Sequence, residues 1–166
     1  MNGMVQQWRR LARMAVAVAA LSGCQWFTLG VGRMVEPERC LPLHEGGPHT
    51  GAWVTRDLVF SYEYLRRGDG MRIDGTLQFR GGIPNFPVMM SFDLQAYYLD
   101  ANGQVVAVGP IYIAPRGRET GTWRFSRNLA LPAEAAGWAI GYSGSAKDYG
   151  YPGDSVDWSF WDTPFP

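Results

Sequence analysis

Met71-Arg72-Ile73-Asp74-Gly75-Thr76-Leu77-Gln78-Phe79 sets the fold class of this chain. Met71, Ile73, Leu77 and Phe79 alternate with Arg72, Asp74, Thr76 and Gln78. A period of two belongs to an extended strand with one dry and one wet face, because successive side chains leave a pleated backbone on opposite sides. Just upstream, Leu58-Val59-Phe60-Ser61-Tyr62-Glu63-Tyr64-Leu65 is dense in aromatic and branched residues, and Gly68-Asp69-Gly70 supplies a turn between the two runs. Together they predict a β-hairpin.

The pattern continues downstream. After a glycine- and proline-rich loop at 81–87, Met90-Ser91-Phe92-Asp93-Leu94-Gln95-Ala96-Tyr97-Tyr98-Leu99 puts Phe92, Leu94, Ala96 and Tyr98 on one face of a third strand. Asp100-Ala101-Asn102-Gly103 then turns the chain, since Asn-Gly readily takes the positive φ angles of a hairpin. Residues 104–113 return as a fourth strand, with an interruption expected at Gly109-Pro110, where proline removes a ladder donor. Further strands are predicted over 121–131, 138–142 and 155–161, and Pro132-Ala133-Glu134-Ala135-Ala136 reads as one helical turn opened by proline and closed by Gly137. About seven short strands with hairpin turns predict an all-β, two-sheet β-sandwich over residues 51–166. The stretch from Ala96-Tyr97-Tyr98-Leu99 through Gln104-Val105-Val106 resembles a hairpin of the immunoglobulin-like FxLYD-type domains of bacterial envelope proteins. That resemblance implies an immunoglobulin-like sandwich and says nothing of activity.

Residues 25–50 lack clear periodicity. Pro37, Pro42 and Pro48, with Gly30, Gly32, Gly46 and Gly47, predict a tether or an irregular lead-in. As a tether its reach would be roughly 85 Å fully stretched and about 30 Å as a flexible coil. Trp26, Phe27 and Leu29 give its start an apolar character suited to a membrane interface or to packing on the domain. The segment also holds Cys40, His44, Glu45 and His49. A thiolate and two imidazoles can hold zinc, but Cys-x3-His-x4-His matches no common finger or ribbon spacing, so these are read as loop residues and no metal or other cofactor is expected.

Ahead of this lies a leader. Arg9, Arg10 and Arg13 form a basic n-region, and the apolar run at 14–21 is long enough for a signal peptide but falls short of the about 20 residues of a permanent span. The leader ends in Leu21-Ser22-Gly23-Cys24, which resembles the lipobox of a bacterial lipoprotein. The resemblance implies a signal peptide over 1–23, diacylglyceryl transfer to the Cys24 thiol, and a lipid anchor and tether over 24–50. One acyl chain binds a bilayer reversibly, whereas the two or three of a lipoprotein cysteine hold firmly, at about 0.8 kcal/mol per buried methylene. Aspartate after the cysteine usually retains such proteins at the inner membrane of Gram-negative cells. Gln25 stands there instead, which implies the outer membrane facing the periplasm, or the cell membrane in a host without one.

Loss of the leader removes three of the 15 basic residues and none of the 15 acidic ones, leaving a formal charge of −3. That balance argues against a polybasic nucleic-acid surface. With Cys24 acylated, Cys40 has no partner in the chain and reads as a small buried apolar residue, with intermolecular pairing as the alternative.

Catalytic motifs are weak. Gly141-Tyr142-Ser143-Gly144-Ser145 approaches the nucleophile elbow, yet its last glycine is displaced, no helix pattern follows, and both histidines precede it. Asp148, Asp154, Asp157 and Asp162 offer carboxylates without any sign of a cleft. No phosphate-binding glycine loop or zinc-protease motif is present. The most distinctive surface candidate is the C-terminal region, where Tyr149, Tyr151, Trp158 and Trp161 can stack on sugars or anchor a protein partner. Along that strand, however, Val156, Trp158 and Phe160 alternate and are expected to point inward and complete the core, which leaves Trp161 and the loop at 149–151 as the better contact candidates. The expectation is a non-enzymatic, lipid-anchored envelope protein that binds another envelope protein, or alternatively a cell-wall glycan or small ligand through those aromatics.

Overall fold

A computed structural model describes residues 30–149 and 155–166. Among them the chain forms ten β-strands: β1 (Leu41–Pro42), β2 (Gly46–Val54), β3 (Leu58–Arg67), β4 (Gly70–Phe79), β5 (Val88–Leu99), β6 (Val105–Ile113), β7 (Arg118–Glu119), β8 (Thr122–Ala130), β9 (Gly137–Tyr149) and β10 (Ser155–Asp162). They build two antiparallel sheets, so the chain is an all-β sandwich, as the alternating runs predict. One sheet has the order β2-β3-β4-β8. The other has β9 and β5 at its centre, with β1 and then β10 along the free side of β9, and β6 and then β7 along the free side of β5.

The predicted hairpin is β3 and β4, paired from Leu58↔Phe79 to Arg67↔Gly70. Its dry face, Leu58, Phe60, Tyr64, Met71, Ile73, Leu77 and Phe79, packs against Phe92, Leu94, Ala96 and Tyr98 of β5 and Trp138, Ile140 and Tyr142 of β9. Two close approaches depend on glycine. A side chain at Gly75 would strike the Phe60 and Phe125 rings, which stack 5.9 Å apart over it, and one at Gly144 would strike the ring of Phe160 and the Ser91 carbonyl. The expected interruption in β6 is a register shift, Leu94↔Tyr112 followed by Gln95↔Pro110, which passes over Ile111 beside the donorless proline.

The structure departs from the sequence reading in four places. The described part of the lead-in packs on the sandwich: Gly32 N–H donates to the Val105 carbonyl (2.8 Å), Val105 N–H to the Arg33 carbonyl (2.9 Å), and Val35 is buried against Leu99. Ordered structure therefore lies on both sides of the 50/51 boundary, and β2 starts at Gly46 through an irregular step between Gly46 and His49. Pro48 is tolerated there because β2 is an edge strand. The strand expected over 138–142 runs to Tyr149, because Ser143-Gly144-Ser145 is paired on both sides by β5 and β10. Residues 132–135 close one turn, Ala135 N–H to the Pro132 carbonyl, without becoming helical. Among the described residues the helical turns are 3-10 turns at Pro37–Arg39 and Ile83–Asn85, each opened by proline.

Candidate functional site

The second sheet buries its inner face in the core and leaves much of its outer face polar. Alternation along β5 sends Asp93, Gln95 and Tyr97 outward while Phe92, Leu94 and Ala96 go inward. In register with Asp93 stand Ile113 on one side and Ser143 on the other, and Trp161 follows beyond Ser143. Ile113 and Trp161 are 60% and 67% exposed, so two apolar side chains flank a polar row.

The lead-in and the C-terminal residues close one side of this row. Phe165 meets Tyr97 edge-on with ring centroids 5.3 Å apart, and the Arg33 guanidinium lies 4.0 Å above the Phe165 ring. The result is an open cleft of about 420 Å³ lined by Arg33, Asp93, Gln95, Tyr97, Ser143 and Trp161 among others. Within it Gln95 Nε2 donates to Asp93 Oδ2 (2.8 Å) and the Tyr97 hydroxyl donates to Gln95 Oε1 (3.3 Å). Asp93 Oδ1 is buried with no hydrogen-bond partner among the described residues. Burial pushes the Asp93 carboxyl above the ordinary aspartate range, against the pull of the Gln95 amide, and burial likewise pushes the Tyr97 hydroxyl up. Buried acceptors are normally satisfied, so an orphaned carboxylate oxygen in a cleft wall is an unusual chemical feature.

The aromatics singled out in sequence divide between the two faces of β10. Trp161 joins the outer cleft. Trp158 shares its face with the buried Phe160 but overhangs the end of the core, 41% exposed and stacked on Phe86 at 5.7 Å. Val156 is 55% exposed, so only Phe160 of the three residues expected to turn inward is buried; the Phe86 ring, not the core, covers Trp158. The backbone of Tyr149 ends β9, while its side chain, Tyr151 and Cys24 lie outside the described residues.

Other sequence candidates are dispersed. His44 and His49 have ring centroids 5.4 Å apart, and His49 packs on Tyr64. Cys40 lies elsewhere, its Sγ 3.5 Å from the Glu36 carbonyl and its thiol pushed up by burial, beside an apolar cavity of about 390 Å³. Among the described residues no group of three or more His, Cys, Asp and Glu side chains could hold a metal ion. Ser143, in the near-elbow motif, sits in mid-strand between Asp93 and Trp161. Asp93, Gln95 and Arg33 were not singled out in the sequence. The only trace of the first two is their place in a row of polar residues at alternate positions, Ser91, Asp93 and Gln95, in a largely apolar strand, and Arg33 carries no local signal.

Compared with protein-family models, curated proteins and solved structures, the chain gives no match.

Proposed function

We propose that this chain is a non-enzymatic lipoprotein, anchored through Cys24 in the outer membrane and facing the periplasm, whose sandwich serves as an adaptor or accessory component of a cell-envelope assembly. The observation that carries this reading is the open edge of β10. Among the described residues β10 pairs with β9 alone, and Val156 and Trp158 stand exposed along it. An unpaired edge offers a ladder of N–H and C=O groups to an extended segment of a partner, and exposed aromatics beside it supply side-chain specificity.

The lipobox resemblance adds a geometric argument. Gly30, the first described residue, lies six residues after Cys24, and six residues span at most about 20 Å. Acylation there holds the Gly30 end of the sandwich near the bilayer. Arg39 ties the Asp162 end of β10 to the same N-terminal lead-in, so the strand and its open edge are held on the anchored domain.

The test is a photo-crosslinking amino acid placed at Trp158 of the full chain in intact host cells, with the same group at Arg124 on the opposite sheet as control. The expected result is one envelope protein captured from position 158 only, and lost with Cys24→Ser. Equal capture from both positions, or an unchanged product without the anchor, would refute the adaptor reading.

A further inference from the structure

The cleft on the outer sheet face uses the opposite side of β10 from the docking edge, and its chemistry stands apart from that reading. Its contents restrict what can occupy it. Asp93 Oδ1 is a buried acceptor lacking a donor, so an apolar ligand would leave it stranded, and an anion would meet it with repulsion. Asp93 is the only carboxylate among the lining residues, so the oxygen ligands a divalent cation needs are missing. Gln95 and Ser143 add neutral hydrogen-bonding groups, and Trp161 adds an exposed indole in register beyond Ser143. A neutral, hydroxyl-rich ring satisfies all of these together: its hydroxyls donate to the carboxylate, its remaining oxygens accept from Ser143 and Arg33, and its C–H face covers an aromatic plane. The cleft volume, about 420 Å³, lies in the range of pockets that enclose small ligands.

We propose that this cleft binds a pyranose ring of an oligosaccharide, stacked on the Trp161 indole and hydrogen-bonded through its hydroxyls to Ser143 and to the Asp93 carboxylate. Arg33 of the lead-in and the Phe165 ring beneath it form one wall. Tyr97 fixes Gln95, and Gln95 holds Asp93 through Oδ2; Oδ1 is covered, so a turn of the carboxylate toward the cleft accompanies ligand entry.

The full chain, purified in a detergent without a sugar headgroup, is titrated calorimetrically with diacetylchitobiose, cellobiose and maltose, while the indole N–H resonance of Trp161, identified by its disappearance in Trp161→Phe, is followed by NMR. The expected result is binding of at least one disaccharide at up to about 10 mM, with a shift of that resonance. Trp161→Ala should weaken it roughly five- to tenfold, the range of an aromatic contact. Asp93→Asn should weaken it by a comparable factor, and Ser143→Ala, an exposed and conservative change, should weaken it less; thermal unfolding establishes that each variant is folded. No binding of any of the three sugars, or binding that Trp161→Ala and Asp93→Asn leave unchanged, overturns the proposal. Binding that moves a different indole resonance and leaves that of Trp161 still overturns it as well.

Discussion

Arg39 grips Asp162 across 123 residues of chain, Nη1 on Oδ2 and Nη2 on Oδ1 at 3.0 Å each, while Nη1 also donates to the Thr163 carbonyl at 2.7 Å. This fork joins the N-terminal lead-in to the last strand and is only partly exposed on both sides. Paired, bidentate hydrogen bonds to a carboxylate are the stronger kind. Arg39→Ala is expected to lower stability by roughly 1–2 kcal/mol, seen as a lower urea midpoint at unchanged slope. Arg39→Lys should recover only part of the loss, because an ammonium cannot reproduce the planar fork. Full recovery by lysine would show that charge alone holds the two ends together.

Asp57, 3% exposed, accepts from the Tyr142 hydroxyl at 2.8 Å and from Arg56 at 2.9 and 3.1 Å. Burial alone would raise its carboxyl, but the hydrogen bonds from Arg56 and Tyr142 outweigh it and hold Asp57 below the ordinary aspartate range. A depressed folded value contributes stability above the unfolded value, near 3.9, that is lost as pH falls through the folded one. Tyr142→Phe should therefore cost roughly 1–3 kcal/mol at neutral pH. The cost should shrink below about pH 4. A cost that stays constant between pH 7 and pH 3 would mean that Asp57 gains nothing from the tyrosine.

Gly144 lies under the Phe160 ring, and Phe160 is the one fully buried aromatic of β10. Gly144→Ala should cost roughly 1–3 kcal/mol by overpacking and should loosen β10 more than β5, because β5 is paired on both sides. Hydrogen exchange by strand checks this. Uniform loss of protection across both sheets would contradict it.

Asp93 carries the opposite sign from Asp57. Burial raises its folded value, so at neutral pH the ionised carboxylate destabilises the fold, and the penalty disappears as pH falls through the folded and then the unfolded value. Asp93→Asn is expected to raise the urea midpoint at pH 7, with the gain fading below about pH 4. Arg33, Tyr97 and Gln95 line the same cleft, and none of them supplies a donor to the orphaned oxygen. A destabilised Asn variant at pH 7 would show that the oxygen is satisfied in solution.

What the sequence by itself determined is the set of elements whose side-chain period is local. Met71 through Phe79 alternates, Gly68-Asp69-Gly70 turns, and Asn102-Gly103 turns again, so strands β3 to β6 and the sandwich class were legible residue by residue. The strands over 46–50 and 143–149 were not, because glycine, proline and serine have little strand preference, and only pairing with β3, β5 and β10 makes them extended. The cleft was the least legible part. It joins Arg33, Asp93, Ser143 and Trp161 from four distant segments, and a strand's alternation says which residues share a face without saying what lies across from them. Trp158 and Trp161 show the same limit at close range: three residues apart, they take opposite faces of β10, and only the seating of Phe160 over Gly144 decides which face is core.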